Sequence, residues 1–467
     1  MDNLFFRYDA EFFNKTALHT DKKIKERSHY FLKYSEIVSG PFGSALKSES
    51  YLQTGVPFIR IENIRGGFNI NTSNMVYISE QDNNKIGNSQ LNVDDIILSK
   101  VGNSIGYFAR VDENIGTCNI SENNIGIKTK NYSDDEKSFI LTYLNCKYAK
   151  VLVLRRTSGN AQPKLNVSDL CFVPIPSFSD YFHKIVRKVV LDSQNKLFEA
   201  ENIYGVAEAI LQKYLDVSHC FNDDFSVKTL SNSFLQSGRL DAEYYQPKYD
   251  VLFDTLSHFS TVKLSGENGL VFIKKSIEPG SESYQNEGIP FVRVSDVNKY
   301  GIVEPTIKLS PTIVPGIESL YPRKDTILLS KDGSVGIAYN VQEDMQVVTS
   351  SALLHLTVKD TSQVLPDYLT LVLNSQVVQL QAERDCNGAI LQHWKPSDIE
   401  KVLIPVLDMD KQQEISEKVQ ESFRLRKEAK RLLDNAIKAV EMAIETDEKT
   451  ALKCLDNQQT LCTNQNL

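Results

Sequence analysis

Cationic side chains recur at turns that follow strand-like segments, and they are the residues of this sequence best suited to binding chemistry. Arg60 and Arg293 each follow a Pro-Phe strand, whereas Lys100 and Lys331 each follow a strand and precede a glycine-containing turn. An arginine can form two hydrogen bonds with guanine or with a phosphate, and a lysine at a turn can approach a backbone phosphate. An ion pair that closes the strand end fits the arginines equally well, and a solvated turn is the alternative for the lysines.

Two loops that follow matched helix-like segments combine cations with amides. An Asn or Gln side chain can form two hydrogen bonds with the edge of an adenine. These loops and the helix ends before them supply the candidate DNA contacts Arg155, Arg156, Asn160, Gln162, Lys164, Arg384, Asn387, Gln392, His393 and Lys395. Lys47, in a Gly-Pro-Phe-Gly turn, and Lys274 and Lys275, near the equivalent place in the second half, complete the set. For Lys47 a plain surface turn is equally consistent, and Trp394 is expected to pack in a core.

The sequence lacks the motifs that an enzyme of nucleic acids or phosphates would need. The turn before Lys47 is not a phosphate-binding loop, because Leu46 stands where a glycine is required and Pro41 removes one amide. No His-x-x-x-His or Cys-x-x-Cys spacing is present, so no metal site is expected. The Gly-x-Ser-x-Gly elbow and the Asn/Asp-Pro-Pro-Tyr/Phe motif are also missing. We therefore predict a chain without catalysis and without a cofactor of its own.

The same residue patterns occur twice in the same order, at an offset of about 230 residues. Recurring segments are Arg-x-Asp-Ala-Glu at 7 and 239, Gly-x-Pro-Phe-x-Arg at 55 and 288, the Ile-Leu-rich strand ending at Lys100 and Lys331, and Ser-Asp-Leu/Ile at 168 and 397. Chance matches would not keep both their order and their spacing. The chain is therefore an internal duplication.

Each copy reads as a mixture of strands and helices. Runs such as Val56–Ile61 and Asp95–Ser99, bounded by Gly, Asn and Asp, predict strands. Helices are expected around Phe139–Leu154 and Pro366–Glu383. The expected fold class is α/β (α+β), with two similar modules related by a pseudo-twofold internal repeat.

A long proline-free helix follows each copy, and its apolar residues are spaced alternately by three and four. This heptad seam predicts that the two helices pair as an antiparallel coiled coil that separates the modules. The seam consists of Leu197, Ala200, Tyr204, Ala207 and Leu211 in the first helix, and of Ala429, Leu433, Ala436 and Val440 in the second. Separate packing of each helix on its own module is the alternative.

Length and composition are those of a multidomain globular protein. The 467 residues are 41% hydrophobic and 24% charged, and no apolar stretch reaches the length of about 18 residues that a membrane span needs. The seven scattered cysteines are those expected in a reducing cytoplasm. A net charge of −8 does not have the sign of a simple basic DNA-binding domain, but acidic helices can dominate the total while other faces stay basic.

The duplication, the Gly-Pro-Phe-Gly turn, the two Pro-Phe-x-Arg strands and the long helices together resemble the specificity subunit of Type I restriction–modification systems. The resemblance covers nearly the whole chain, although the second copy has Gly269–Lys274 where the first has Gly-Pro-Phe-Gly. It implies two target recognition domains, each reading one half of a bipartite, asymmetric double-stranded DNA site. It also implies helices that bind two adenine-methyltransferase subunits, with ATP-dependent restriction subunits as further partners. S-adenosylmethionine, ATP and magnesium would then belong to the partner subunits.

The predicted boundaries are 1–178 for the first recognition domain, 179–217 for the first spacer helix, 218–407 for the second domain, 408–447 for the second spacer helix and 448–467 for a disordered tail. The main alternative function is a protein–protein scaffold whose duplicated modules bind no DNA. A self-contained methyltransferase or nuclease is a weaker alternative, because its motifs are missing.

Overall fold

Apolar runs rich in Ile, Val and Leu fold as short strands at the centre of each repeat. Ile96–Ser99 and Ile327–Ser330 are buried along their whole length, as expected for a continuous apolar run that is covered on both faces. The computed structural model describes residues 7, 9–41, 46–72, 74–159, 163–217, 226–313, 315–386 and 392–463. It divides into unit 1, Met1–Lys196 with Glu428–Leu467, and unit 2, Leu197–Lys427.

The described strands of unit 1 form three sheets. They are β1 (His29–Tyr30), β2 (Ile37–Ser39), β3 (Val56–Ile59), β4 (Phe68–Asn69), β5 (Val76–Ile78), β6 (Ile96–Ser99), β7 (Phe108–Arg110), β8 (Asn119–Ile120), β9 (Asn124–Ile127) and β10 (Ile175–Pro176). The largest sheet has the order β2-β9-β6-β7-β4, and the others are β5-β3-β8 and β1-β10. In the largest sheet the central strand β6 pairs antiparallel with β7 and β9, whereas β4 pairs with β7 in parallel.

Unit 2 repeats this plan. Its strands are β11 (Thr261–Lys263), β12 (Val271–Lys275), β13 (Ile289–Val292), β14 (Val297–Asn298), β15 (Gly301–Ile302), β16 (Lys308–Leu309), β17 (Ile327–Ser330), β18 (Ala338–Asn340), β19 (Val348–Thr349), β20 (Leu353–Val358) and β21 (Leu403–Pro405). The sheets of the described residues are β12-β20-β17-β18, β16-β13-β19, β14-β15 and β11-β21. The strand β17 therefore holds the place that β6 holds in unit 1.

Helices cover these sheets and include two long ones. They are α1 (Lys15–Lys25), α2 (Glu80–Lys85), α3 (Asp134–Leu144), α4 (Lys147–Arg155), α5 (Val167–Leu170), α6 (Asp180–Tyr214), α7 (Phe234–Ser237), α8 (Pro247–Ser257), α9 (Pro366–Asn374), α10 (Gln376–Asp385), α11 (Pro396–Ile399), α12 (Met409–Glu445) and α13 (Glu448–Thr463). The mixed helix and sheet class is the one that the sequence predicts. No helix in the described part of the chain combines the length and the apolar character needed to span a bilayer.

The duplication extends to individual hydrogen bonds of the two cores. In unit 1 the Asn145 side chain donates to the Phe108 carbonyl at 2.9 Å and accepts from the Phe108 amide at 3.2 Å. In unit 2 Asn374 makes the same two bonds with Ala338, at 2.8 and 3.0 Å. These bonds join the end of a helix to a strand, β7 in unit 1 and β18 in unit 2, so Asn145 and Asn374 hold equivalent structural places in the two repeats.

Segments of α6 and α12 pack together within each unit. In unit 1 the Ser193 hydroxyl donates to the Ala429 carbonyl at 2.7 Å, and in unit 2 the Ser422 hydroxyl donates to the Ala200 carbonyl at 2.6 Å. In unit 2 the Lys411 ammonium also lies 3.9 Å from the centre of the Tyr214 ring. Lys411 precedes Ser422 whereas Tyr214 follows Ala200, so the two helices are antiparallel there. A small residue at the seam lets a backbone carbonyl of one helix come within reach of a hydroxyl of the other.

The predicted seam residues are largely buried. Ala200, Tyr204, Ala207, Leu211, Ala429, Ala436 and Val440 are each at most 3% exposed. Leu433 packs half-buried against the core of unit 1, and Leu197 is also half-buried. The boundaries of the two units fall inside α6 and α12, and the assignment of 179–217 and 408–447 as separate spacer segments stays a prediction.

The predicted disordered tail is wrong for its first part. Residues 448–463 form α13, in which Ala451 and Leu455 are buried in the core of unit 1. The helix begins after Asp447, whose carboxylate accepts from the Thr450 amide at 2.9 Å. The helix buries this apolar pair, four residues apart, in the core of unit 1, and its N-terminal cap satisfies one backbone amide.

Candidate nucleic-acid interface

In unit 1 the turn after the central strand β6 is hydrogen-bonded to the loop that follows α4. The Lys100 amide donates to the Asn123 carbonyl at 2.9 Å, and the Lys100 carbonyl accepts from the Leu165 amide at 2.8 Å. The Gly102 amide donates to the Pro163 carbonyl at 2.9 Å, and Gly102 has a φ of +70°, which favours glycine. We call this arrangement of turn and loop backbone the turn frame.

Unit 2 contains the same turn frame after β17. The Lys331 amide donates to the Ala352 carbonyl at 2.9 Å, and the Lys331 carbonyl accepts from the Trp394 amide at 2.8 Å. The Gly333 amide donates to the Gln392 carbonyl at 3.0 Å, with a φ of +73° at Gly333. Trp394 is fully buried, as predicted, and fixes the end of the loop.

Side chains of the turn frame in unit 1 line a cleft of about 820 Å³ that is rich in cations and hydrogen-bonding groups. Lys85, Lys100 and Lys164 all lie on its wall, and the Lys100 ammonium donates to the Ser39 hydroxyl at 3.0 Å. Burial lowers the pKa of Lys100; Glu122 opposes this shift and Lys164 adds to it. Lys164 is exposed and Lys85 pairs with Asp82 at 2.9 Å, so Lys100 and Lys164 are the cations of this cleft best placed for an anionic ligand such as a phosphate.

The equivalent edge of unit 2 carries different chemistry. Lys331 is only 7% exposed and its ammonium pairs with the Asp332 carboxylate, which also contacts Nδ1 of His393. Lys331 is therefore neither the solvated residue nor the exposed phosphate contact that the sequence suggests. A buried ammonium needs a paired carboxylate, and Asp332 supplies it.

The two arginines at the end of α4, Arg155 and Arg156, make contacts inside unit 1. The Arg155 side chain is 2% exposed, pairs with Asp21 at 3.1 Å and donates to the Phe12 carbonyl at 2.8 Å. Arg156 is 8% exposed, donates to the Phe172 carbonyl at 3.2 Å, and has a pKa lowered by burial. Both side chains are enclosed and bonded within unit 1, so their placement does not support the predicted contact with DNA, which stays a prediction.

Arg384, in the last turn of α10, makes similar contacts inside unit 2. Its guanidinium lies 4.3 Å from the ring centre of Phe253 and 5.1 Å from that of Tyr244, and its Nε donates to Asp385 at 2.8 Å. Tyr244 directly follows the Arg-x-Asp-Ala-Glu segment, as Phe12 does in unit 1. The side chain is only 22% exposed, so its predicted contact with DNA is not supported by its placement.

Arg60 and Arg293 hold equivalent places and both contact a nearby carboxylate. Arg60 pairs with Glu62 and donates to the Asn74 carbonyl at 2.6 Å. Nε of Arg293 lies 3.7 Å from the Asp296 carboxylate. The ion pair at the strand end is therefore present in both repeats, although the side chains of Arg60 and Arg293 remain 28% and 35% exposed.

The remaining predicted contacts fall into two groups. Side chains of the first group are exposed, and in that group the Lys274 ammonium donates to the Ser319 carbonyl at 2.7 Å. Its members are Lys47, Lys164, Lys274, Lys275, Gln392, His393 and Lys395. Asn160, Gln162 and Asn387 lie outside the described residues.

A family model described as the Type I restriction modification DNA specificity domain matches residues 267–438, which include the turn frame of unit 2. This match confirms the predicted resemblance. A search of the curated proteins finds no relative that matches the chain.

Solved structures that are similar to most of the chain have low sequence identity to it. The S subunit of a Type I restriction–modification system from M. genitalium has 14% identity and a TM-score of 0.32, over 92% of this chain and 96% of that one. The HsdS subunit from Thermoanaerobacter tengcongensis has 13% identity and a TM-score of 0.29, over 91% and 96%. A chain from a structure that describes complex assembly and conformational transition of the type I R-M system has 16% identity and a TM-score of 0.26, over 82% and 91%.

Two residues of the turn frames were missed from the sequence. Ser39 lies far along the chain from Lys100, and no local pattern connects them. Asp332 stands where the first repeat has Val101, so a comparison of the two copies could have singled it out as a polar substitution within residues 267–438, which the family model matches.

Substitution should separate the structural cations from the exposed ones. Arg155→Ala leaves the buried Asp21 with Lys25 as its remaining partner, so we expect a loss of about 3 kcal/mol in the free energy of unfolding. Lys164→Ala, the control on the exposed wall of the cleft, should change that free energy by less than about 0.5 kcal/mol. Urea unfolding measures both. A stable Arg155→Ala protein with altered DNA sequence preference would contradict the structural assignment.

Proposed function

We propose that this chain is the sequence-specific DNA recognition subunit of a Type I restriction–modification complex, and that each repeat is a target recognition domain for one half of a bipartite, asymmetric site. The observation that supports this best is the turn frame, which recurs with the same backbone hydrogen bonds but different side chains. Lys100, Val101 and Lys164 in unit 1 correspond to Lys331, Asp332 and His393 in unit 2. A common frame with distinct side chains is what two readers of different half-sites need.

Affinity and discrimination would come from different residues. Exposed lysines such as Lys47, Lys164 and Lys395 are suited to phosphate contacts, which contribute affinity that falls with salt. Exposed polar side chains of the loops, such as Gln392 and His393, are suited to hydrogen bonds with base edges. The net charge of −8 is compatible with this division, because only the faces near DNA need to be basic.

The paired helices would serve as the spacer between the two recognition domains and as the docking site for two adenine-methyltransferase subunits. The face of α6 in unit 2 supports docking, since Phe198 is 55% exposed and Val206 is 47% exposed. Gly205 lies between them in the helix, and apart from its chain neighbours and the adjacent helix backbone, no described atom lies within 4 Å of the place where its Cβ would be. A glycine inside a helix costs about 1 kcal/mol relative to alanine, and no internal contact explains it. Close approach of a partner helix would explain a glycine at this position.

Catalysis would lie entirely in the partners. S-adenosylmethionine would bind to the methyltransferase subunits, and ATP and magnesium to restriction subunits where these join. The chain itself would act in the cytoplasm as a recognition and assembly subunit.

The methylation pattern of the host DNA tests the recognition function. We expect strains with the gene and its methyltransferase partner to carry methyladenine in one two-part motif with a fixed gap, and strains without the gene to lack that motif. Single-molecule sequencing of both strains measures this. The rival scaffold function predicts identical methylation in the two strains and no salt-sensitive DNA binding by the assembled complex.

Substitution at Gly205 tests the docking face. Gly205→Leu adds a side chain into open space, so the chain should fold and gain up to about 1 kcal/mol of helix stability. It should nevertheless reduce co-purification of the methyltransferase subunit at least tenfold, because the added side chain blocks close approach. Gly205→Ala is the matched control and should retain most of the partner. Full co-purification with Gly205→Leu would refute docking at this face.

A further inference from the structure

Lys331, Asp332 and His393 form a line of contacts from the interior of unit 2 to its surface. The side chains of Lys331, Asp332 and His393 are 9%, 33% and 51% exposed, respectively. The Asp332 carboxylate contacts the Lys331 ammonium through one oxygen and Nδ1 of His393 through the other. A buried cation thus holds a carboxylate that in turn orients an exposed imidazole.

Backbone hydrogen bonds also hold Asp332 and His393 next to each other. Asp332 and His393 face each other in an antiparallel β-bridge. On either side of that bridge, the Trp394 amide donates to the Lys331 carbonyl and the Gly333 amide donates to the Gln392 carbonyl. His393 therefore belongs to a hydrogen-bonded segment whose next residue, Trp394, is fully buried.

An ionised carboxylate can only accept hydrogen bonds, so its contact with Nδ1 requires the proton of the imidazole to be on Nδ1. Because the Lys331 ammonium already balances the charge of Asp332, the carboxylate does not require a charged imidazole as its partner. In that tautomer Nε2 has a free lone pair. It is a hydrogen-bond acceptor, whereas the same ring with its proton on Nε2 would be a donor.

We propose that His393 is a specificity-determining residue of unit 2, that Asp332 and Lys331 are its positioning residues, and that Nε2 of His393 accepts a hydrogen bond from the exocyclic amino group of adenine or cytosine. This inference rests on the proposed DNA recognition function. In the major groove, adenine N6 and cytosine N4 are donors, whereas guanine O6 and thymine O4 are acceptors. A fixed acceptor therefore discriminates between the two classes of base.

Unit 1 has no such device at the equivalent position. The same β-bridge joins Val101 to Lys164, so an apolar residue and a cation replace the carboxylate and the imidazole. The cation can only donate. The two repeats would therefore present opposite hydrogen-bonding character from the same place in the frame.

The test compares methylated motifs in cells that contain the methyltransferase partner and one variant of the full chain. With the original chain, one position of one half-site should require adenine or cytosine on the contacted strand. His393→Ala should accept all four bases there, with methylation of the non-cognate sites raised roughly tenfold. Asp332→Asn should relax the same position, because the imidazole is no longer held in one tautomer. The other half-site should stay unchanged in both variants.

Two further variants make the outcome decisive. His393→Gln retains an acceptor near the place of Nε2 and should keep the original base choice. His258→Ala removes another exposed histidine, at the end of α8, and should leave the motif intact. An unaltered motif in His393→Ala and Asp332→Asn would overturn the inference, as would loss of all methylation in both His393→Ala and His393→Gln. If the original chain directs no two-part motif, the proposed function itself fails.

Discussion

The structure depends on one set of hydrogen bonds, which tie the turn after a buried central strand to the loop that follows a helix. Backbone amides and carbonyls that are shielded from water must find partners, and at the end of each central strand they find them in the loop: Leu165 with Lys100 in unit 1, and Trp394 with Lys331 in unit 2. These bonds hold the end of each loop against the end of the central strand. Its side chains can change without loss of the frame, because the bonds involve only backbone.

Because the frame is the same in both units, the differences between them become informative. The first repeat collects Lys85, Lys100 and Lys164 around one cleft, whereas the second encloses its equivalent lysine with a carboxylate and exposes an imidazole. Duplication supplied the scaffold, and substitution at a few positions gave each copy its own surface chemistry. A protein that recognises two unlike half-sites requires this combination of constancy and change.

The sequence predicted the architecture well because architecture follows from periodic features. The duplication, the buried strands Ile96–Ser99 and Ile327–Ser330, the seam alanines and the buried Trp394 could all be recognised from order, spacing and apolar runs. Each of these signals is local or repeats along the chain. The helix at 448–463 was missed because its apolar residues are few and its stability comes from burial of Ala451 and Leu455 in a core formed by distant segments.

The candidate site was predicted less well, because charge alone does not indicate whether a cation has a partner. Arg155 reads as a surface cation, but Asp21 and Phe12 enclose it, and both come from much earlier in the chain. Lys331 is likewise paired and buried. The exposed members Lys164, Gln392 and His393 were identified by their position in a loop, whereas Asp332 could be recognised only by comparing the two copies.

Exchange of one loop between the frames tests most directly whether the two copies are independent readers. Residues 157–164 would be replaced by the equally long segment 386–393, so that the anchors Leu165 and Lys100 stay in place. The account predicts that the motif methylated by the complex changes in one half only, with the other half and the gap retained. A change in both halves, or an unchanged motif from a folded and assembled complex, would contradict it.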